Sequence, residues 1–161
     1  MNISHETREI IQRLERSFSR KVKKHDCSDF KECLSFQALR AMKGMEIWFM
    51  PEATNYDDCL SKLNGYDVVF DVGAGDLRFD LMMAEKVRKV YAVEINPKVL
   101  ASALRIIGYD IPTNLYAICG DAFDMELPQD VTVVTCLMIH RKHEFPDIWR
   151  KVRTISYEMN I

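Results

Sequence analysis

The chain has 161 residues, of which 48% are hydrophobic and 29% charged, and its formal net charge is −2 at pH 7. This composition is that of one globular domain, and the near-neutral charge does not indicate a whole-molecule attraction to nucleic acid or to anionic membranes, although a local basic face could still bind them. No stretch approaches the roughly 18 apolar residues of a membrane span, and the five cysteines lack metal-ligand spacing, so we predict a cytoplasmic protein with free thiols and no metal.

The first 64 residues are predicted to be helical. Apolar residues recur at helical spacing over 10–22 and again over 30–48, where Pro51 ends the pattern. A short helix follows, and the turn dipeptide Asn64-Gly65 closes this part. We therefore expect a helical cap segment at 1–64 that precedes a second region at 65–161, the two forming one compact unit.

From residue 65 onward, short apolar runs alternate with helical patterns. Strands are predicted at 67–71, 90–94, 115–119, 131–137 and 152–161, and helices at 76–89, 97–108 and 145–150. Continuous apolar runs are typical of strands buried on both faces, as in parallel sheets. Strand and helix in alternation imply right-handed crossovers. The sequence therefore predicts the α/β class, with a doubly wound parallel sheet.

A glycine-containing segment, 71–76 (DVGAGD), directly follows the first predicted strand. Glycines at 73 and 75 allow a sharp turn and bring bare backbone close to a ligand. The helix that follows presents backbone N–H groups at the same place, which suits anionic or polar ligand groups.

Two further acids lie at the ends of predicted strands. Glu94 stands 19 residues after Gly75, where a carboxylate can accept hydrogen bonds from both ribose hydroxyls of a nucleoside. Asp121 follows the third strand, where it can accept a bond from an adenine amino group. Open α/β sheets bind ligands at this edge, so these features together predict a nucleoside site. The alternative is that the acids cap the following helix or turn.

A nicotinamide dinucleotide site is the obvious competitor. Its fingerprint requires a small residue three positions after the second glycine, and Arg78 occupies that position. This large charged side chain favours a ligand made of a nucleoside and an amino acid.

These motifs resemble those of the class I S-adenosylmethionine (SAM)-dependent methyltransferases, over about residues 66–137. The resemblance implies a SAM cofactor, a strand order of 3-2-1-4-5 and an N-terminal helical segment over the cofactor cleft. It also implies that the glycine segment lies at the methionine moiety, Glu94 at the ribose and Asp121 with Ala122 at the adenine. The predicted cofactor-binding residues are Asp71, Gly73, Ala74, Gly75, Asp76, Glu94, Ile95, Asp121 and Ala122.

The acceptor of the methyl group is left open. Segments 131–138 and 155–159 are similar to strands four and five of small archaeal protein-lysine methyltransferases, which favours a lysine side chain over RNA or a small molecule. The Asn/Asp-Pro-Pro-Tyr motif of amino-group nucleic-acid methyltransferases is absent after strand four, where 135–140 (TCLMIH) stands. The chain also stops at the fifth of the family's usual seven strands. The alternative function for this protein is that of a non-catalytic SAM-binding regulatory or partner subunit.

Two further expectations concern residues near the end of the chain. His140 could accept a proton from a substrate group at the mouth of the pocket, but a solvated loop is the favoured interpretation. A fifth strand that is last in its sheet has a bare outer edge, which invites a homodimer or a hetero-complex.

Overall fold

The computed structural model describes residues 3–19, 53–139 and 145–158. The helical pattern predicted at 30–48 and the candidate His140 lie outside these residues. The four α-helices of the described part are α1 (His5–Ser19), α2 (Ala53–Ser61), α3 (Arg78–Ala84) and α4 (Pro97–Ile107). Its five strands are β1 (Val68–Val72), β2 (Lys89–Glu94), β3 (Leu115–Cys119), β4 (Val133–Ile139) and β5 (Arg153–Glu158).

The strands form one sheet in the order β3-β2-β1-β4-β5, and every pair of neighbours is parallel. The register places Asp71 beside Ala92 on one side and beside Thr135 on the other. It also pairs Glu94 with Cys119 at the end of β3. The predicted fold class and strand order are thus confirmed, and the carboxyl ends of β1, β2 and β3 lie at one edge of the sheet.

Each face of the sheet has its own apolar cluster. Alternate residues of β1 divide between them, with Val69 on one face and Val68 and Phe70 on the other. The first face is covered by all four described helices, which supply buried residues such as Leu14, Leu60, Leu81 and Leu100. On the second face, Phe70 and Phe145 both contact the ring of Trp149, a fully buried residue.

Helix α1 is fixed to the first face by an apolar stripe and by polar ties. Ile10, Leu14 and Phe18 are buried, as their helical spacing predicts. At the start of the helix, the backbone N–H and the hydroxyl of Ser4 both donate to the Glu85 carboxylate. Farther along, Arg13 bonds Asp110 at 2.6 Å.

Several predicted boundaries move by a few residues. The helix predicted at 76–89 spans only Arg78–Ala84, because Leu77 has φ of 66° and blocks a helical start at residue 76. The strands predicted at 131–137 and 152–161 are Val133–Ile139 and Arg153–Glu158. The helix predicted at 145–150 is a single 3-10 turn, Trp149–Lys151. None of the helices in the described ranges is long and apolar enough to cross a bilayer.

Candidate functional site

The loop between β1 and α3 turns back sharply over the end of β2. The N–H groups of Gly73 and Ala74 both donate to the Val93 carbonyl, at 2.9 and 3.0 Å. Gly73 and Gly75 have φ of +81° and +60°, so both positions require the conformational freedom of glycine. A Cβ added at Gly73 would meet no atom within 4 Å, so the space above this residue is open to a ligand.

Glu94 fixes this loop from the end of β2. One carboxylate oxygen accepts from the Gly75 N–H at 2.8 Å, and the other accepts from the Asn96 N–H at 2.7 Å. The side chain of Asn96 in turn caps α4 by accepting from the Lys98 and Val99 N–H groups, and Pro97 stands at the first helical position. The predicted acid at 94 therefore lies against the glycine loop and organises the start of the next helix.

Asp121 lies next to Glu94 across the sheet edge. The Gly120 N–H donates to the Glu94 carbonyl at 3.0 Å, which extends the β2–β3 register by one residue. One Asp121 oxygen accepts from the Phe123 N–H at 3.0 Å and caps a short 3-10 turn. This is the capping alternative that the sequence left open.

Apolar groups border the two acids. Ile95 follows Glu94 and is 63% exposed, which is unusual for a large aliphatic residue, whereas Ala122 is buried after Asp121. A planar base lying at this edge could cover the Ile95 side chain. The structure thus brings five of the predicted cofactor-binding residues together at this end of the sheet: Gly73, Ala74, Gly75, Glu94 and Asp121.

Asp76, also predicted to bind the cofactor, has a different partner for its side chain. Both of its oxygens accept from the Arg78 guanidinium, with Nε at 3.0 and 2.8 Å, and both residues are buried. Arg78 also lies 3.5 Å from Glu15 of α1. Through Arg78, the Asp76 carboxylate therefore links the glycine loop to α3 and to α1. The sequence indicated Arg78 only as a residue too large for a dinucleotide site.

Asp71 lies beneath the glycine loop rather than at its surface. Its carboxylate accepts a hydrogen bond from the Thr135 hydroxyl of β4, and burial raises its pKa to about 6, an effect partly opposed by that hydrogen bond. Beside it, Asp80 is fully buried, and neither of its oxygens accepts a hydrogen bond from another residue's N–H or hydroxyl group in the described part of the chain, so the Asp71 carboxyl is its polar neighbour. Burial first, and then the charge of Asp71, raise the pKa of Asp80 well above its ordinary value. Asp80 was not among the residues predicted from the sequence.

The helical segment before β1 also reaches this region. Tyr56 of α2 stacks on Phe79 of α3, with ring centroids 4.8 Å apart and planes at 15°. Burial, and then the negative charge of Asp76, raise the pKa of the Tyr56 hydroxyl. Tyr56 therefore stays neutral and brings α2 against the first turn after the loop.

Comparison with known proteins agrees with this arrangement. No protein-family model matches the chain. A probable ribosomal RNA small subunit methyltransferase A of Methanosarcina barkeri is 36% identical over 77 residues, which are 48% of this chain and 26% of that protein. Trm5b of Pyrococcus abyssi is 25% identical, with a TM-score of 0.50 over 58% of this chain and 28% of its own. This chain is thus similar to methyltransferases in sequence and in fold, as its motifs predict.

The same fold recurs in more distant methyltransferases. An rRNA methylase of Streptococcus thermophilus has a TM-score of 0.54 at 13% identity, over 70% of this chain and 73% of its own. This likeness shows the fold alone. Our chain spans about a quarter of the length of the curated Methanosarcina relative. The finer resemblance to protein-lysine methyltransferases finds no support among these proteins.

Proposed function

We propose that this methyltransferase domain binds SAM at the carboxyl ends of β1, β2 and β3 and transfers its methyl group to RNA. The observation that carries the cofactor site is the Glu94 carboxylate, which is held by the N–H groups of Gly75 and Asn96. The Gly120 N–H donates to the Glu94 carbonyl, and Asp121 follows Gly120 in the chain, which supports a role for Asp121 in the same site.

The Glu94 carboxylate retains capacity for a ligand. A carboxylate offers about four lone-pair sites, and two are used by backbone N–H groups. The remaining two suit the two vicinal hydroxyls of a ribose. Because its backbone partners fix the carboxylate before binding, little side-chain entropy is lost when the ribose arrives.

The charges around the loop also favour SAM. Asp71, Asp76 and Glu94 are buried acids close to the glycine loop, and Arg78 is a buried cation bonded to Asp76. Such an environment attracts a ligand with net positive charge and a cationic sulfonium. The demethylated product, S-adenosylhomocysteine (SAH), lacks the sulfonium charge, so the same field favours its release.

Bound SAM supplies an activated methyl group, because its sulfur is positively charged. For such a donor, much of the rate comes from holding the acceptor in line with the methyl group, an effect worth about 7–11 kcal/mol in well-oriented systems. The residues of this chain therefore act chiefly by binding: Glu94 and Asp121 orient the nucleoside, and the loop of Gly73 and Gly75 admits the amino-acid end.

RNA is the acceptor that the relatives favour. The Methanosarcina relative, at 36% identity, is named for ribosomal RNA. We therefore prefer RNA to the lysine side chain that the sequence of strands four and five suggests. A small-molecule acceptor is an alternative to both.

One observation supports a second candidate, a SAM-binding subunit without catalytic activity. The end of β4 carries the sequence TCLMI over 135–139, without the Asn/Asp-Pro-Pro-Tyr motif with which related enzymes hold an amino group. Thr135 is fully buried and bonded to Asp71, so it does not replace that motif.

Two measurements separate these functions. Calorimetric titration of the full chain with SAM and with SAH tests the cofactor site, and we expect SAM to bind more tightly. Transfer of tritiated methyl groups is then measured on unmodified ribosomal RNA transcripts and on total ribosomal protein. Ribonuclease-sensitive label in the RNA is the expected result.

Each outcome decides one part of the proposal. Label in the protein would overturn the RNA acceptor and restore the lysine prediction. Binding of SAM without transfer to either substrate would support the non-catalytic subunit. Failure to bind SAM would reject both functions.

A further inference from the structure

Two acids are buried beneath the glycine loop, Asp71 at the end of β1 and Asp80 in the first turn of α3. Asp71 is 4% exposed and Asp80 is fully buried, and their carboxyl groups lie within hydrogen-bonding reach of each other. In the described ranges, neither of these acids forms an ion pair with a cation. The buried Arg78 is instead bonded to Asp76 and lies 3.5 Å from Glu15. We call Asp71 and Asp80 the acid pair.

Two ionised carboxylates are unfavourable in a buried site without a cation, because each loses its hydration and each repels the other. One proton held between them removes one charge and supplies a hydrogen bond, as in other close pairs of carboxyl groups. The surroundings assign this proton to Asp80. The Thr135 hydroxyl donates to Asp71 and stabilises its charge, whereas no N–H or hydroxyl group of another described residue donates to Asp80.

The other titratable and charged groups around the acid pair do not remove the repulsion. They are Tyr56 and Cys59 of α2, Asp76 and Arg78 around the start of α3, and Glu94 of β2. Burial raises the pKa of the tyrosine hydroxyl and raises that of the cysteine thiol to about 12, so both groups stay neutral. Asp76 and Glu94 add negative charge, and the positive Arg78 is bonded to Asp76. The neutralising charge therefore has to come from a proton.

A hydrogen bond within the acid pair would close the base of the glycine loop. This loop connects β1 to α3, and the two acids stand on either side of it in the chain. Hydrogen bonds to β2 fix the first half of the loop, from Gly73 to Gly75. A bond from Asp80 to Asp71 would fix its other end, because that bond joins α3 directly to β1.

We propose that Asp80 is a positioning residue for the glycine loop: its protonated carboxyl donates to Asp71 and holds α3 against β1 in the arrangement that binds SAM. The inference rests on the proposed SAM site and adds a residue that acts through Asp71 rather than by contact with the cofactor. When Asp80 ionises, two negative charges meet at the base of the loop and α3 is pushed away from β1. The affinity for SAM therefore falls as the pH rises through the titration of Asp80.

Calorimetric titration of the full chain with SAM compares two substitutions at this position. Asp80→Asn retains a donor to Asp71, whereas Asp80→Leu has a similar size and no donor. At pH 6, we expect the asparagine variant to bind SAM within about twofold of wild type and the leucine variant to bind it about tenfold more weakly. Asp147→Leu, which replaces an exposed acid before β5, should leave the affinity unchanged.

The proton itself is observed without the cofactor. The ¹³C signals of the aspartate carboxyl groups are followed in the full chain between pH 4 and 9, and the Asp80 signal is assigned with Asp80→Asn. This signal should keep the position of a protonated acid at pH values where exposed aspartates are ionised. The SAM affinity of wild type, divided by that of Asp80→Asn at the same pH, should fall only as the Asp80 signal titrates. This ratio cancels the titration of SAM.

Three results would overturn the inference. An Asp80 signal that titrates together with those of the exposed aspartates would show that the acid pair holds no proton. Equal SAM affinity in a folded Asp80→Leu and wild type would show that the bond does not position the loop, although the cofactor site would stand. An affinity ratio that rises as Asp80 ionises would show that negative charge alone attracts the cofactor.

Two further cases are also decided. If Asp80→Leu does not fold, the ¹³C titration and the comparison with Asp80→Asn still test the bond. If wild type does not bind SAM, the proposed function fails together with this role for Asp80, whereas a shared proton would still appear in the ¹³C titration. A failure of the inference alone and a failure of the proposed function thus give different results.

Discussion

The Glu94 carboxylate accepts one backbone N–H on each oxygen, from Gly75 and Asn96. Replacing Glu94 with glutamine retains the shape but puts an NH₂ group against one of these N–H donors. Two donors then face each other, so the loop is displaced and the ribose loses an acceptor. We expect Glu94→Gln to weaken SAM binding by about 10- to 100-fold, equivalent to about 1–3 kcal/mol for a lost buried hydrogen bond.

Calorimetric titration with SAM measures this change. Glu126→Gln provides the matched control, because Glu126 is an exposed acid on the connection after β3. If Glu94→Gln and wild type bound SAM with equal affinity, Glu94 would not be part of the cofactor site.

Asp80 makes the stability of the protein depend on pH. Its pKa is raised well above that of an unfolded aspartate, and the pKa of Asp71 is raised to about 6, chiefly by burial in both cases. Groups with raised pKa values bind more protons in the folded state, so the free energy of unfolding falls as pH rises through the folded pKa. The loss is at most about 1.4 kcal/mol per pH unit for each proton.

Asp80→Asn removes one titrating group and leaves an amide that can donate to Asp71. We expect this variant to lose less stability than wild type between pH 5 and 8 and to be the more stable protein at pH 8. Urea unfolding at a series of pH values measures the effect, with the exposed Asp124→Asn as the control. A variant with the same pH dependence as wild type would show that Asp80 is ionised in the folded protein.

At the scale of elements, helix α3 begins two residues later than its apolar pattern predicts. Leu77 stands before it with φ of 66° and is fully buried. A left-handed conformation costs a non-glycine residue about 1–2 kcal/mol. The buried Leu77 side chain offsets this strain, because loss of a buried leucine costs about 2–5 kcal/mol.

At position 77, this conformation reverses the usual order of stability, in which the alanine variant is more stable than the glycine variant. We expect Leu77→Gly to be more stable than Leu77→Ala by about 1 kcal/mol, because only glycine adopts positive φ without strain. At Leu81, a buried residue inside the same helix, glycine should be less stable than alanine by about 1 kcal/mol. Chemical denaturation of the four variants tests both orders. An alanine at 77 that is as stable as glycine would exclude the left-handed conformation.

The strands and the helices differ in how well the sequence predicts them. β1 to β5 lie within a few residues of their predicted positions, because apolar β-branched runs mark buried parallel strands directly. Glu94 and Asp121 could be predicted as strand-end acids for the same reason. The buried Asp80 could not, because an aspartate in the first turn of a helix also fits a solvated position favoured by the helix dipole. Only the packing of α3 on the sheet distinguishes the two.

At the scale of the whole molecule, α1 and the β-sheet share one apolar cluster. Leu14 of α1 is fully buried on the first face, and Trp149 is fully buried on the second face. The sheet lies between them. The order of the strands followed from the family resemblance rather than from composition.

Because α1 packs in the same core as the sheet, we expect a destabilising substitution in α1 to promote unfolding of the second face of the sheet as well. We expect Leu14→Ala to lower the free energy of unfolding by about 2–5 kcal/mol. If the chain unfolds as one cooperative unit, helix content and Trp149 fluorescence should change at the same denaturant concentration, in wild type and in the variant. The measurement uses a Trp48→Phe background, which leaves Trp149 as the single tryptophan of the chain.

Gln12→Ala is the control, because Gln12 is exposed on α1 and its change should stay within about 0.5 kcal/mol. In the contrary outcome, Leu14→Ala leaves the midpoint of the Trp149 fluorescence change where it is in wild type, while the midpoint of the loss of helix moves to a lower denaturant concentration. That result would show that α1 unfolds separately from the sheet. The tie between α1 and the glycine loop, through Glu15 and Arg78, would then be broken before the sheet unfolds. With a single transition, the N-terminal helix and the glycine loop are held by the same core, so variants in either one act on both.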